Sequence, residues 1–408
     1  MRRRYVVDLF AGCGGLSLGL ERSGFTPSYV NELNRDALET YLVNREGKNP
    51  LLREKYNSND IKQLASRRER LERVSEEMMA DYGIQRGELD LVVGGPPCQG
   101  FSVIGHRRSF DVQKKELPYN YLYRDMVKVI RHMRPKCFLF ENVGGLLSGR
   151  WSKKGENGEI WRDVLKRFKA LDYTVRWDLV YSKEYGVPQN RPRVMMVGLR
   201  DDMPFDEVED APADGLLPDR PELEPPGPAE LLGDLVDPNY LGKKSTDTYL
   251  KDPRTPVQEA LRDGLERGDP LTEHEYAIHS REMREKFTYM IRNHGRIQKK
   301  YQTRKFYQKV LPRRWGEAGP NITIASNPVD FIHYLQPRHL TVREYARFQM
   351  FPDTYRFVGK RHTGGRRRAG DPDKGIWDRE VPKYTQIGNA VPVRLAEQVG
   401  RHLRRILR

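Results

Sequence analysis

The 408 residues carry 72 Lys and Arg against 57 Asp and Glu, a formal charge of +15, with 37% hydrophobic and 32% charged residues. A chain of this length can bury more than one core, and no apolar run nears the roughly 20 residues that a membrane-spanning helix needs. The charge favours a polyanionic partner over a neutral one, with a generally basic surface as the plain alternative.

Three cysteines, Cys13, Cys98 and Cys137, with no Cys-x-x-Cys pair, argue against a disulfide framework or a zinc site and for a reducing compartment. The apolar stretch from Tyr5 to Phe10 is too brief for a signal peptide, so a cytoplasmic protein is expected. The first 200 residues alternate short apolar runs with helical patterns, which predicts an α/β domain with a largely parallel sheet. Strands are expected at 5–9, 28–31, 89–93, 137–140, 174–181 and 193–199. Residues 61–82 read as a highly charged helical stretch inserted at the surface. Leu122, Met126, Val129, Ile130 and Met133 recur at helical spacing, as do Val164, Leu165, Phe168 and Leu171. Residues 201–237 are acidic and rich in proline, as a linker is. The balance reverses over 281–315, where Arg296, Lys299, Arg304 and other cations are interleaved with Tyr289, Tyr301, Phe306, Tyr307 and Trp315. A second basic loop, 359–368, contains Arg366. Pro392 can start a last helix whose apolar face is Leu395, Val399, Leu403 and Ile406.

Four segments carry chemistry. Asp8-Leu9-Phe10-Ala11-Gly12-Cys13-Gly14-Gly15 is a glycine-rich turn after the first strand. Such turns let a ligand approach the carboxyl edge of a sheet, although many need glycine for shape alone. Glu32 follows the next strand at about the 20-residue distance where a carboxylate accepts from ribose hydroxyls, and Asp60 stands at a plausible third strand end. Either could be an ordinary exposed carboxylate; with the loop they describe a nucleoside site. Gly94-Gly95-Pro96-Pro97-Cys98-Gln99-Gly100-Phe101-Ser102 holds a thiol at a strand end, placed to react as thiolate if local cations or dipoles lower its pKa. The basic stretch 101–120 that follows lacks periodicity and could close over a substrate. Phe140-Glu141-Asn142-Val143 sets a carboxylate at the end of an apolar strand. Its pKa should be raised, which suits protonation of a ring nitrogen, unless it merely caps a helix. In Gln189-Asn190-Arg191-Pro192-Arg193, alternation puts both arginines on one side, to grip a phosphate or an exocyclic oxygen, or to form a solvated basic turn.

In this order, and with Arg338-His339-Leu340-Thr341-Val342-Arg343-Glu344 and Gln386-Ile387-Gly388-Asn389-Ala390-Val391-Pro392 behind them, these segments resemble the DNA (cytosine-5)-methyltransferases of prokaryotic type. The resemblance covers about residues 5–200 and 320–405. It implies an S-adenosylmethionine-dependent methyltransferase (Rossmann-like) α/β domain with a mixed sheet at 1–200, and a smaller target-recognition domain at 201–370. Residues 371–408 would return to the catalytic domain. S-adenosyl-L-methionine is the implied cofactor, leaving as S-adenosyl-L-homocysteine, with no metal. Phe10 would stack on its adenine, with Gly12, Cys13, Gly14, Gly15 and Leu16 lining it; Glu32 would hold the ribose, and Asp60 and Ile61 the adenine. Pro97, Leu122, Asn389 and Val391 would complete the pocket. The catalytic set is Cys98, which adds to carbon 6 of a flipped cytosine, Glu141 at ring nitrogen 3, and Arg191 on the base oxygen together with Arg193. Contacts to double-stranded DNA are expected from Gln99, Ser102, Gln189, Arg296, Lys299, Arg304 and Arg366. The stretches 61–82 and 358–383 match nothing in the family pattern.

A cytoplasmic, nucleoid-associated monomer serving restriction–modification or phage defence follows by analogy, with a cognate restriction or defence-system protein as second partner. A tRNA cytosine-5 methyltransferase is the nearest alternative; Gly100-Phe101-Ser102 sides with the DNA enzymes. Amino-methylating enzymes carry an aromatic where this chain has Cys98, and intact catalytic positions argue against a non-catalytic DNA-binding regulator.

Overall fold

Successive side chains of a strand point to opposite faces of its sheet, and here both faces are covered. Val6, Val93, Leu139 and Val197 enter one apolar cluster, and Val7, Val92, Phe138 and Met196 enter the other. The computed structural model describes residues 2–97, 118–152, 154–203, 215–221, 223–302, 308–363 and 380–407. Its main sheet is built from β1 (Arg4–Leu9), β2 (Phe25–Asn31), β3 (Asn57–Ser58), β4 (Leu91–Gly94), β5 (Cys137–Val143), β6 (Tyr173–Tyr181) and β7 (Pro192–Arg200), in the order β3-β2-β1-β4-β5-β7-β6. Only β7 runs against its neighbours β5 and β6, so the sheet is mixed.

All six expected strands are present, with shifted ends. Strand β2 reaches back to Phe25 through Pro27, which has no N–H for the ladder, and the β1 register slips next to it, between Val6 and Val7. Strand β5 continues to Val143 because β7 pairs with its whole length, so Glu141 lies inside a strand and not just past its end. With two residues, β3 is too short to show alternation.

Helices α1 (Gly15–Arg22), α2 (Arg35–Val43), α3 (Pro50–Glu54), α4 (Ile61–Ala65), α5 (Arg68–Tyr82), α6 (Tyr123–Met133) and α7 (Glu159–Lys169) link the strands. The expectation of a surface insertion at 61–82 is corrected. Leu71, Ser75, Met78 and Met79 lie one helical face apart and are buried, and α5 packs on β2 and α6. Its charged majority is only the solvated side of a sheet-covering helix.

Beyond the sheet lie α8 (Pro228–Leu232), α9 (Pro256–Arg262), α10 (Arg281–Arg292) and α11 (Val342–Phe348), with a two-residue parallel pair of Lys309–Val310 and Phe331–Ile332. Fully buried arginines knit this region. Arg347 meets Asp234 at 2.6 Å and Asp353 at 2.5 Å, and Arg262 meets the same Asp234 at 2.9 Å. Such a knot is stable only when complete, since removing one partner strands a buried charge.

Finally α12 (Lys383–Asn389) and α13 (Val393–Ile406) return to the sheet, α13 lying on α1. Close approach needs glycine here. A Cβ on Gly19 would stand 2.5 Å from that of Ala396, and one on Gly400 would stand 2.2 Å from Ser23 Oγ.

Candidate active site

From β1 the chain winds outward to β2 and β3, then jumps to β4 on the other side of β1. Ligands of α/β sheets bind at such a switch point, outside the carboxyl ends of the strands. The register pairs Leu9 with Gly94 and Gly94 with Phe140. Hence Phe10 and Gly95 leave the sheet side by side, next to Glu141, which stays paired with Met195 inside β5.

The loop after β1 turns through left-handed backbone at Phe10 (φ 58°), Gly12 (φ 56°) and Gly14 (φ 88°). Glu32 at the end of β2 fixes it, Oε2 accepting from Gly12 N at 2.9 Å while Oε1 accepts from Asn34 N at 2.8 Å. Burial raises the Glu32 pKa against the pull of those two amides. Each oxygen keeps a lone pair for a further donor. A Cβ on Gly12 would meet nothing within 4 Å, so the turn opens onto free space there.

The neighbouring glycines do a different job. A Cβ on Gly14 would press on Tyr41 and Tyr355, and one on Gly15 would lie 2.4 Å from the Val391 carbonyl oxygen. Cys13 donates to Gln386 O at 3.4 Å, burial pushes its thiol up to about 12, and its carbonyl accepts from Tyr355 Oη at 2.6 Å. Leu16 sits in the core shared with α13. Of the expected cofactor-lining set, Phe10, Gly12, Glu32 and Pro97 are therefore half-buried along the opening. The side chains of Cys13 and Leu16 and the space beside Gly15 seat the C-terminal segment, while Tyr41, Arg45 and Tyr355 fill the space beside Gly14. Asp60 is half-buried and caps α4 through Lys62 N at 2.9 Å, while Ile61, Leu122 and Val391 are buried and Asn389 is exposed beside Ser326.

On the other side of the switch point, Asn142 Nδ2 donates to Pro96 O at 2.8 Å and so anchors the backbone leading to Cys98. Glu141 Oε1 pairs with Arg193 Nε at 2.6 Å, a diagonal contact set by the antiparallel register. Both groups are buried. Burial lifts the Glu141 pKa, and the Arg193 and Arg191 cations oppose the lift without cancelling it. Gly95 lies so close that a Cβ would stand 2.8 Å from Glu141 Oε2.

Arg191 does not occupy the place expected of it. Its Nη atoms donate to Ile324 O at 2.6 Å and to Gly388 O at 2.7 Å, which ties the end of β7 to two later segments. Burial and the adjacent Arg193 both disfavour its charge. Of the two arginines, Arg193 is the one whose side chain meets Glu141. The expected contact of Gln189 with DNA is also corrected. That side chain is fully buried, donating to Phe348 O and Gln349 Oε1 at 2.9 Å and accepting from Ile324 N at 3.1 Å. An amide with these partners is a joint of the fold and has no free edge for a base.

One family model, C-5 cytosine-specific DNA methylase, matches residues 5–405. The chain belongs to this family. Type II methyltransferase M.DdeI of Desulfomicrobium norvegicum is 29% identical over 412 residues, which span 98% of this chain and 88% of that one. M.FnuDI of Fusobacterium nucleatum, another Type II methyltransferase, is 29% identical over 98% of this chain and 94% of its own. A crystal structure described as a DNA modification methyltransferase encoded within an E. coli prophage matches at TM-score 0.65, with 23% identity over 99% of both chains. At that identity it speaks for the fold, as does the methyltransferase EhMeth of Entamoeba histolytica (TM-score 0.53, 13% identity, 99% and 98% coverage).

The methylase thus acts on carbon 5 of cytosine in DNA and belongs to an S-adenosylmethionine-dependent family. Among the described residues no helix is long and apolar enough to cross a membrane. Arg296 and Lys299, expected on the DNA side, are exposed just after α10. Trp315 of the same basic stretch is instead tied inward, Nε1 donating to Pro226 O at 2.9 Å. In the second basic loop Lys360 pairs with Glu380 at 3.0 Å and Arg361 with Glu275 at 3.4 Å. Cys98, Gln99, Ser102, Arg304 and Arg366 lie outside the described residues.

Several residues were missed in the sequence. Leu33, next to Glu32 in the chain, is a large apolar side chain that is 54% exposed, and the only hint of it was an apolar residue with no periodic neighbour. Tyr355, which donates to the Cys13 carbonyl, lies more than 340 positions away and left no local signal; Gln386 stood in a segment already singled out, but nothing there showed that its carbonyl meets the Cys13 thiol.

Proposed function

We propose that this methylase adds the Cys98 thiolate to carbon 6 of a cytosine swung out of duplex DNA, with Glu141 and Arg193 holding the polar edge of that base. The observation that carries this reading is the buried Glu141–Arg193 pair beside Gly95, one strand from the backbone that leads to Cys98. A carboxyl group with a raised pKa can share its proton with ring nitrogen 3, and an arginine next to it can hold oxygen 2. The assignment differs from the first expectation in that Arg193, not Arg191, meets the base.

Thiolate attack forms the sulfur–carbon 6 bond and moves the ring electrons to carbon 5, while nitrogen 3 takes its proton from Glu141. S-adenosylmethionine, when bound, supplies the electrophilic methyl group that carbon 5 then accepts. Loss of the carbon 5 proton to a base, for which water serves, restores the carbon 5–carbon 6 double bond and expels the Cys98 thiolate, while nitrogen 3 returns its proton to Glu141. Positioned acid–base help of this kind is worth roughly 10²–10⁴-fold. Unstacking the base costs a few kcal/mol, which the basic surface offsets through phosphate contacts.

Phe10, Gly12, Glu32 and Leu33 fit the cofactor. A backbone turn opens to free space, a carboxylate is fixed by two amides with lone pairs to spare, and an exposed leucine offers an apolar face. Residues 1–200 act as the catalytic domain, with 201–370 carrying target recognition through Arg296, Lys299 and their neighbours, and 371–408 as the returning segment. The Type II names of the relatives favour an enzyme that marks host DNA in restriction–modification, and we propose that it works as a cytoplasmic monomer. The deciding experiment is trapping with a 5-fluorocytosine duplex and S-adenosylmethionine. A stable protein–DNA adduct is expected with the native chain and none with Cys98→Ala; an adduct of equal yield in that variant removes the covalent route.

A further inference from the structure

The catalytic crevice lies at the carboxyl ends of β1 and β4. At the amino-terminal edge of the same sheet the structure has a cavity of about 970 Å³. Arg2 and Arg4 at the start of β1, Arg22 at the end of α1, and Arg401, Arg404 and Arg405 of α13 line it. Arg220 joins them from the segment after the sheet, and Asp219 is the one acid in the lining among the described residues.

Three of these arginines are steadied from outside the lining and still face solvent. Arg2 pairs with Glu88 at 2.8 Å, Arg220 with Glu184 at 3.3 Å and Arg401 with Glu397 at 2.6 Å, their side chains 58%, 54% and 62% exposed. Arg22 and Arg405 are exposed and meet no carboxylate among the described residues; Arg405 only leans on His402 Nδ1 at 3.4 Å. The cations of the lining are all arginine, whose planar fork matches phosphate oxygens two at a time. Pro218 and Pro221 complete the wall with groups that can neither donate nor read a base edge from a side chain.

We propose that this cleft is a second nucleic-acid site, taking the sugar–phosphate backbone of a duplex segment other than the one being methylated. The proposal rests on the DNA-methylase reading only for the presence of DNA. Strand β1 alone separates the two edges by about 20 Å at ~3.3 Å per residue. Duplex DNA has a persistence length of ~150 bp and cannot fold back over that distance within a short site. The cleft therefore takes a remote stretch of a long molecule, or a second molecule. Holding two segments raises the local concentration of the next site to be searched.

The test uses the full chain with its crevice filled by one equivalent of short unlabelled duplex and S-adenosylhomocysteine, into which a fluorescent duplex is titrated. A second, salt-sensitive binding event is expected, and the triple variant Arg22→Glu, Arg401→Glu, Arg405→Glu abolishes it. The milder Arg→Gln triple retains weaker binding whose log–log salt slope is shallower by roughly 2.7, at about 0.9 for each phosphate that is no longer neutralised. Methylation of a short duplex stays at the wild-type rate in both variants, which reports folding and separates this proposal from the identity of the catalytic reaction. Absence of the second event, or its survival in the Glu variant, overturns the proposal. So does its displacement by millimolar inorganic phosphate, which marks a small-anion pocket, or retention of polyglutamate in place of duplex, which marks a protein-docking surface.

Discussion

Replacing Arg191 by methionine separates the two roles that sequence alternation had merged in Arg191 and Arg193. Arg191 is 4% exposed, and its guanidinium donates to two carbonyl oxygens, at 2.6 and 2.7 Å. A hydrogen bond from a charged group contributes about 1.5–3 kcal/mol net, so losing two removes ~3–6 kcal/mol. Against that loss, burying an arginine without a carboxylate of its own costs several kcal/mol, which methionine relieves while filling the space of the stem. The expected net destabilisation is ~1–3 kcal/mol, which lies within the usual range for single substitutions. In urea unfolding the midpoint should fall, and amide exchange should rise around residues 388–393, where the latch is removed. At 25 °C with saturating cofactor, kcat should stay within about tenfold of wild type. Arg193→Met, which strips Glu141 of its partner, should instead lower kcat by about 10²–10⁴. Equal collapse of kcat in both variants, with an unmoved urea midpoint for Arg191→Met, would show that Arg191 serves the base after all.

Gly95→Ala puts a Cβ 2.8 Å from Glu141 Oε2, so the carboxylate must move; a shift near 1 Å costs about 10²-fold in rate, read as kcat with unchanged thermal stability. Gly15→Ala directs a Cβ to within 2.4 Å of the Val391 carbonyl oxygen and should cost ~1–3 kcal/mol in urea unfolding, since backbone cannot rotate away as a side chain can. His274 is buried and its pKa is lowered to about 4. The unfolded chain binds that proton near pH 6.5, so the contribution is whole above pH 6.5 and lost as pH falls toward 4, ~3 kcal/mol in all; His274→Gln should flatten the stability profile there. Burial raises Asp8 to about 7, so the folded chain holds a proton that the unfolded one releases near pH 4. Stability drains away as pH rises through that window. Asp8→Asn should therefore shrink the loss between pH 5 and 8 by up to ~3 kcal/mol in denaturant titrations, and an unchanged difference would place the titration elsewhere.

How much could be read in advance differed by kind of residue. Strand positions were legible because alternation and helical spacing are local, and a two-sided α/β sheet imposes both on contiguous residues. Glu32 was legible as a carboxylate at a strand end, and Glu141 as a carboxylate on an apolar strand, although that strand runs on past it to Val143. Helix α5 was legible as a helix but not as part of the core, since four buried residues among fifteen leave the average strongly polar. Arg191 and Gln189 were misread for one shared reason. Their partners, Ile324, Phe348, Gln349 and Gly388, lie more than 130 positions downstream, and nothing near residue 190 records that those segments come back.

By itself the sequence determined the class of fold, the order of the strands along the chain and the chemical types gathered at the sheet's carboxyl edge, because backbone propensity and side-chain chemistry travel with each residue. Tertiary structure alone decided which arginine faces Glu141, which glycines border open space and which make room for α13, and where exposed cations collect on the far edge. Those outcomes depend on distances between segments hundreds of residues apart, and such distances exist only once the chain has closed on itself.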